Sequence, residues 1–175
     1  MRRLLLAAAL LATACTTQAD FVSGVEGGTK LDEVTTAEAM QFCTALDRYL
    51  QDSFDAEVEG RFNCSVAALQ TQFTPDTCQA SVDACLPMPP TTPLNIMPID
   101  CTFAGPEPTC HATINELEHC LAAEVATYLE YLDSANCSIA GNSTELNRLS
   151  NEPLTPEECT RLRGTCPVYA GGFFD

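Results

Sequence analysis

Eleven cysteines in 175 residues are the side chains of this sequence most able to do chemistry. Thiols can ligate metals, run redox exchange, attack carbonyls or pair as disulfides, and their spacing discriminates among these uses. No C-x-x-C occurs, so neither a thioredoxin-type redox pair nor a zinc ribbon is indicated. No C-x-x-C-H offers a haem attachment point. No metal site and no cofactor is therefore expected. His111 and His119 are the only histidines, and neither falls in a nucleophile, acid–base or metal pattern. His119 stands beside Cys120, but a disulfide is the expected fate of that sulfur, which leaves both histidines as surface residues. Glu116, Glu118 and Glu124 line one predicted helix and read as a solvated face rather than a catalytic pair. There is no G-x-S-x-G and no phosphate-cradling glycine loop, and no catalytic residue is assigned. Asn63, Asn136 and Asn142 lie in glycosylation sequons, which have no role behind a bacterial-type signal.

Pairing requires an oxidising compartment, and the N-terminus supplies the export signal. In "MRRLLLAAALLATAC", Arg2 and Arg3 precede an apolar run over 4–12. A run of about nine residues fits a signal-peptide core and is too short to span a bilayer. No later stretch reaches the roughly 18 uncharged apolar residues of a spanning helix. "LATAC", 11–15, is similar to the bacterial lipobox, in which small residues precede a cysteine that becomes lipidated. It departs from that pattern at Ala12, where leucine is usual. The alternatives are ordinary cleavage after Ala14 or after Ala19. Cysteine parity favours lipidation of Cys15, because taking it out of the pool leaves an even ten.

Losing Arg2 and Arg3 with the signal takes the formal charge from −16 to −18. Lys30 is the single lysine. Nucleic acid binding needs the opposite sign, and so does adsorption to an anionic leaflet. Contact with the membrane is expected through the lipid anchor alone. The charge reads first as solubility on an extracytoplasmic surface; the sharper reading is weak binding of cations or of a basic protein partner. No acidic loop has the alternation of a calcium site.

The elements that position the cysteines are helical. "TAEAMQFC", 36–43, aligns with "TINELEHC", 113–120, and "NCSVA", 63–67, with "NCSIA", 136–140. "FTPDTCQASVDAC", 73–85, aligns with "LTPEECTRLRGTC", 154–166. The cysteine order repeats as Cys43, Cys64, Cys78, Cys85 and Cys120, Cys137, Cys159, Cys166, which reads as an internal duplication. Thr35 with Glu38 and Thr113 with Glu116 form capping boxes. Met40, Cys43, Leu46, Leu50 and Phe54 keep helical spacing, as do Leu117, Leu121, Val125, Tyr128, Leu129 and Leu132. Thr74-Pro75-Asp76 and Thr155-Pro156-Glu157-Glu158 each start a helix, with threonine as cap and proline at the first helical position. Pro87 and Pro167 end these helices.

The fold class expected is all-α, as two similar disulfide-stapled helical units. The divisions are a signal peptide at 1–14, a flexible stalk at 15–34 containing Gly24, Gly27 and Gly28, and unit 1 at 35–86. A proline-rich linker follows at 87–100, then unit 2 at 101–167 and a tail at 168–175. The linker's segment from Pro87 to Pro98 could reach about 37 Å at roughly 3.1 Å per residue.

All ten remaining cysteines, Cys43, Cys64, Cys78, Cys85, Cys101, Cys110, Cys120, Cys137, Cys159 and Cys166, are expected in disulfides. Residues seven apart on a helix are separated by about 10.5 Å, beyond the roughly 7 Å that a bridge allows between Cα atoms. Cys78 therefore cannot bond Cys85, nor Cys159 Cys166. Nested pairing gives Cys43–Cys85 and Cys64–Cys78, with Cys120–Cys166 and Cys137–Cys159. An intervening helix would give Cys43–Cys78 and Cys64–Cys85 instead. Cys101 and Cys110 are left to pair with each other across Gly105-Pro106.

The lipobox-like start, "CHATINELEHC" at 110–120 and "TPEECTRLRGTCP" at 155–167 together resemble Cys-rich secreted or lipoprotein-type bacterial proteins of the myxobacterial kind. The resemblance covers most of the mature chain and implies no activity. Thr16, in place of Asp after the lipidated cysteine, resembles the pattern for outer-membrane delivery. Three functions are compatible with these features. One is a lipid-anchored structural or interaction protein at the cell surface. Another is a secreted helical module for a small apolar ligand or protein partner, which needs a continuous apolar cavity. The least supported is an enzyme, which needs a cleft that collects a histidine with two or more carboxylates.

Overall fold

The computed structural model describes residues 20–89, 101, 108–150 and 155–166. Among these residues six α-helices follow in order: α1 (Thr36–Ser53), α2 (Ala56–Thr71), α3 (Pro75–Cys85), α4 (Ile114–Ser134), α5 (Ser143–Leu149) and α6 (Glu157–Thr165), with a 3-10 turn at Cys137–Ile139. Among the described residues there is no strand, only one isolated antiparallel bridge between Lys30 and Thr113. The all-α expectation holds.

Helix starts follow local chemistry. Thr35 and Thr113 cap α1 and α4, and in both the glutamate three residues on returns a bond to the cap backbone. Thr74 caps α3 ahead of Pro75. The expected twin at α6 differs. Thr155 makes no cap; Pro156 itself is the N-cap, with no side-chain bond. A proline in extended conformation there delays the helix by one residue, which leaves the Thr155 side chain short of the first helical amides. Asn136 and Asn142, noted as sequons, cap the 3-10 turn and α5 through their side-chain oxygens. Asn-x-Ser/Thr therefore marks a helical start at both places.

Two apolar clusters form the core. The first gathers Phe21, Leu31 and Val34, then Phe42, Leu46, Leu50 and Phe54, with Ile114, Leu117, Leu121, Val125, Leu132 and Leu162. The second holds Cys64, Ala68, Leu69, Cys78 and Val82 against Ala135, Cys137 and Ala140. Each draws on both halves of the sequence, so burial does not divide at the proline-rich segment as the expected units did. The α1 stripe is also rotated from expectation: Phe42 is buried and Met40 exposed. The larger apolar surface of the aromatic ring decides which neighbour faces inward.

The stalk expected over 15–34 is corrected for residues 20–34, which dock on the helices and place Phe21, Leu31 and Val34 in the core. Phe21 is 4% exposed and packs edge-on against Phe42, with ring centroids 5.4 Å apart. The chain then supplies what the first turn of α4 lacks. Ile114 and Asn115 have no partner within their own helix, and they donate to the carbonyls of Thr29 and Gly27, each at 2.9 Å. The Leu31 amide donates to Ala112 O at 2.9 Å. Gly24 adopts φ +78°, a conformation that favours glycine. The glycines here shape a turn, while apolar residues at 21, 31 and 34 drive docking.

Glu118 and Glu124 are corrected as well. Both are buried, at 7% and 4% exposure, while Glu116 stays at the surface. Glu118 accepts the Ser23 amide at 2.6 Å, and Glu124 Oε1 lies 3.9 Å from Arg163 Nη2.

All ten cysteines are bonded, as expected, and neither Cys78–Cys85 nor Cys159–Cys166 forms. The bridges are Cys43–Cys101, Cys64–Cys85, Cys78–Cys137, Cys110–Cys166 and Cys120–Cys159. The nested pairing and the Cys101–Cys110 loop are therefore both incorrect. Of the intervening-helix alternative, Cys64–Cys85 forms, because 56–71 is a helix lying against α3, and Cys43–Cys78 does not. Cysteines that correspond in the sequence alignment of the two halves do not form corresponding bonds. Cys15, the linker from residue 90 onward and the tail lie outside the described residues. Pro89 is described and meets α2 at Gly60, where an added Cβ would lie 3.2 Å from the proline ring.

Two outcomes follow for stability. Replacing Glu118 by Leu leaves the buried Ser23 amide unpaired and should cost about 1–3 kcal/mol, with faster amide exchange over 21–31. Glu118→Gln keeps an acceptor and should change stability by less. Equal loss in both, by chemical denaturation, would mean the bond does not hold the segment. The Glu116 carboxyl is held below its ordinary range, first by the Thr113 amide and then by the Thr113 hydroxyl, with Arg161 adding to it. A carboxylate depressed by folding stabilises above its unfolded pKa and loses that contribution as pH falls through the folded value. Thr113→Ala should cost about 1 kcal/mol near neutral pH. The difference from wild type should shrink in acid, and NMR titration should return Glu116 toward ordinary.

Candidate functional site

The start of α2 and the end of α4 face each other. Asp55 caps α2 by accepting the amides of Glu57 and Val58, both at 2.9 Å. One turn on, Arg61 Nη2 pairs with Glu57 at 2.8 Å, an i,i+4 contact at the surface. Val58, Phe62 and Ser65 line the inner side of α2, and Leu129, Leu132, Asp133, Ala135 and Asn136 line the end of α4. Between them is a groove of about 480 Å³, open to solvent. Val58, Phe62, Leu129, Leu132 and Ala135 give it apolar surface, Ser65 is a buried polar residue among them, and its rim carries Asp55, Glu57 and Asp133 against Arg61 alone.

An aromatic row stands behind it. Phe62 approaches Tyr131 at 6.2 Å, Tyr131 stacks on Tyr128 at 5.8 Å, and Tyr128 meets Phe54 edge-on at 5.5 Å. Burial, and then Tyr131, push the Tyr128 phenol above its ordinary range, so it stays protonated at neutral pH. No basic residue occupies the last turn of α4. That end of the helix, the negative end of its dipole, faces the groove beside Asp133, its last carbonyls accepting from Ser134 Oγ and from Asn136 N and Nδ2.

A second depression of about 110 Å³ collects Glu116, His119, Glu158, Arg161, Leu162 and Thr165. It meets the condition set for an enzyme, a histidine with two carboxylates. Glu116 is nevertheless committed to the α4 cap through Thr113 N and Oγ1, at 2.9 and 3.0 Å. The site has little room for a substrate. His111 is exposed, and its Nδ1 lies 2.8 Å from Asp32 Oδ2, which joins residue 111 to the N-terminal segment.

Cys120, Glu124 and Cys159 bring their ligand atoms within 4.8 Å of one another. The two sulfurs are bonded to each other, so neither offers a thiolate to a metal. Such a donor set would exist only in the reduced chain.

The disulfide cysteines were readable from the sequence, and the groove was not. Glu124 could have been found: it lies four residues after Cys120 and seven after Leu117, on the apolar stripe of its helix. The facing of α2 and α4 depends on bonds that periodicity does not reveal. Comparison of the chain with protein-family models, with curated proteins and with solved structures finds no match.

Proposed function

We propose that the chain is a non-enzymatic interaction protein of the extracytoplasmic surface, tethered by lipid on Cys15, whose binding surface is the α2–α4 groove. Five disulfides suit an oxidising compartment, and no helix among the described residues is long and apolar enough to cross a membrane. The observation that carries the proposal is the groove itself, roomy, lined in part by Val58, Phe62, Leu129 and Leu132, and walled by disulfide-held helices. Preorganised walls reduce the cost of ordering on binding. The matched halves are read as the trace of a duplication whose disulfides were later rewired.

One observation favours a freely secreted module as the second reading. Phe21 is already in the core, and it lies only six positions after Cys15. That reach is at most about 20 Å, so an anchored body would sit near the bilayer with its strong negative charge.

Mass spectrometry of the mature N-terminus separates the two readings. Lipidation predicts a chain beginning at Cys15 with added acyl mass. Cys15→Ser should abolish the modification and prevent normal membrane anchoring while leaving five disulfides. An unmodified chain beginning at Asp20 would remove the anchor and leave the secreted module.

A further inference from the structure

We infer that the α2–α4 groove takes a small organic cation with an apolar body, an aliphatic or aromatic amine. This rests on the reading of the groove as the binding surface and adds the chemistry of its ligand. Shape and charge point the same way. Val58, Phe62, Leu129 and Leu132 offer apolar surface to a hydrocarbon portion. The volume of about 480 Å³ holds a molecule of that size. On the rim, Arg61 is spent on Glu57, and the charge of Asp55 is turned toward the positive start of α2, whose amides it accepts. Asp133 is left beside the negative end of α4 with no basic residue in that last turn. A ligand ammonium would supply the cation that this end of the helix lacks. An anion would face both Asp133 and the helix end, and a neutral molecule would gain the apolar surface only.

The test uses the mature, fully oxidised chain carrying Cys15→Ser, titrated with hexylammonium, 1-hexanol and hexanoate and followed by amide chemical shifts and calorimetry. Hexylammonium should shift Val58, Phe62, Leu129 and Ala135 and bind at least about fivefold tighter than hexanol, with hexanoate weakest. Asp133→Asn, at an exposed position, should weaken the amine about two- to fivefold and leave hexanol unchanged, the range expected for one solvent-facing charge pair. Arg61→Ala, which releases Glu57, should strengthen the amine. Added salt should narrow the preference. Equal binding of amine and alcohol, or indifference to Asp133→Asn, overturns the cation inference while the groove remains a binding surface. No shift at the groove with any of the three probes at millimolar concentration overturns both.

Discussion

The Cys78–Cys137 bridge ties α3 to the turn after α4, across 59 residues of sequence. Most of the arrangement around the groove depends on it. Cys64–Cys85 fastens α3 to α2, so α2, α3 and the end of α4 form one cross-linked block. The spacing between the first turn of α2 and the last turn of α4 is thereby set by covalent bonds. Gly141 makes the same junction tight: it adopts φ +77°, and an added Cβ would fall 2.3 Å from Phe73 O, at the entry to α3. A side chain there would push the post-α4 turn away from α3. At the opposite side, Cys110–Cys166 and Cys120–Cys159 clamp α6 onto α4 and its leading residues.

Such heavy stapling fits the physical problem this chain faces. Its apolar core is split into two clusters, and its formal charge of −16 repels the compact state. Each bridge of this kind contributes about 2–4 kcal/mol by restricting the unfolded chain. Bridges that share elements will not add simply. Residues 20–34 relieve part of the same problem by other means, adding Phe21, Leu31 and Val34 to the larger cluster and closing the amides of α4.

Much of the fold was legible because it is local. Capping boxes at Thr35 and Thr113 located α1 and α4, and Thr74-Pro75 located α3. Helical geometry correctly forbade bonds between cysteines seven apart on the short helices. What failed was non-local. Periodicity says which face of a helix is buried, not which element covers it, so the pairing of Cys43, Cys101 and Cys137 could not be reached by nesting within repeats. The glycines at 24, 27 and 28 suggested freedom, yet the apolar residues flanking them outweighed that signal. The groove escaped for the same reason, since Asp133 and Arg61 come to line one space only when α2 packs against the end of α4, through Phe62 and Tyr131 and the bridges at α3.

Covalent linkage between the two halves is the claim on which this account most depends. Non-reducing proteolysis of the folded protein, with linked peptides identified by mass spectrometry, tests it directly. A peptide containing Cys78 should be recovered joined to one containing Cys137, and Cys43 joined to Cys101, with negligible free thiol. Recovery of Cys101 bonded to Cys110, with every other bridge confined within 35–86 or within 101–167, would contradict it: the halves would be separate stapled units, and the walls of the groove would not be held by disulfides.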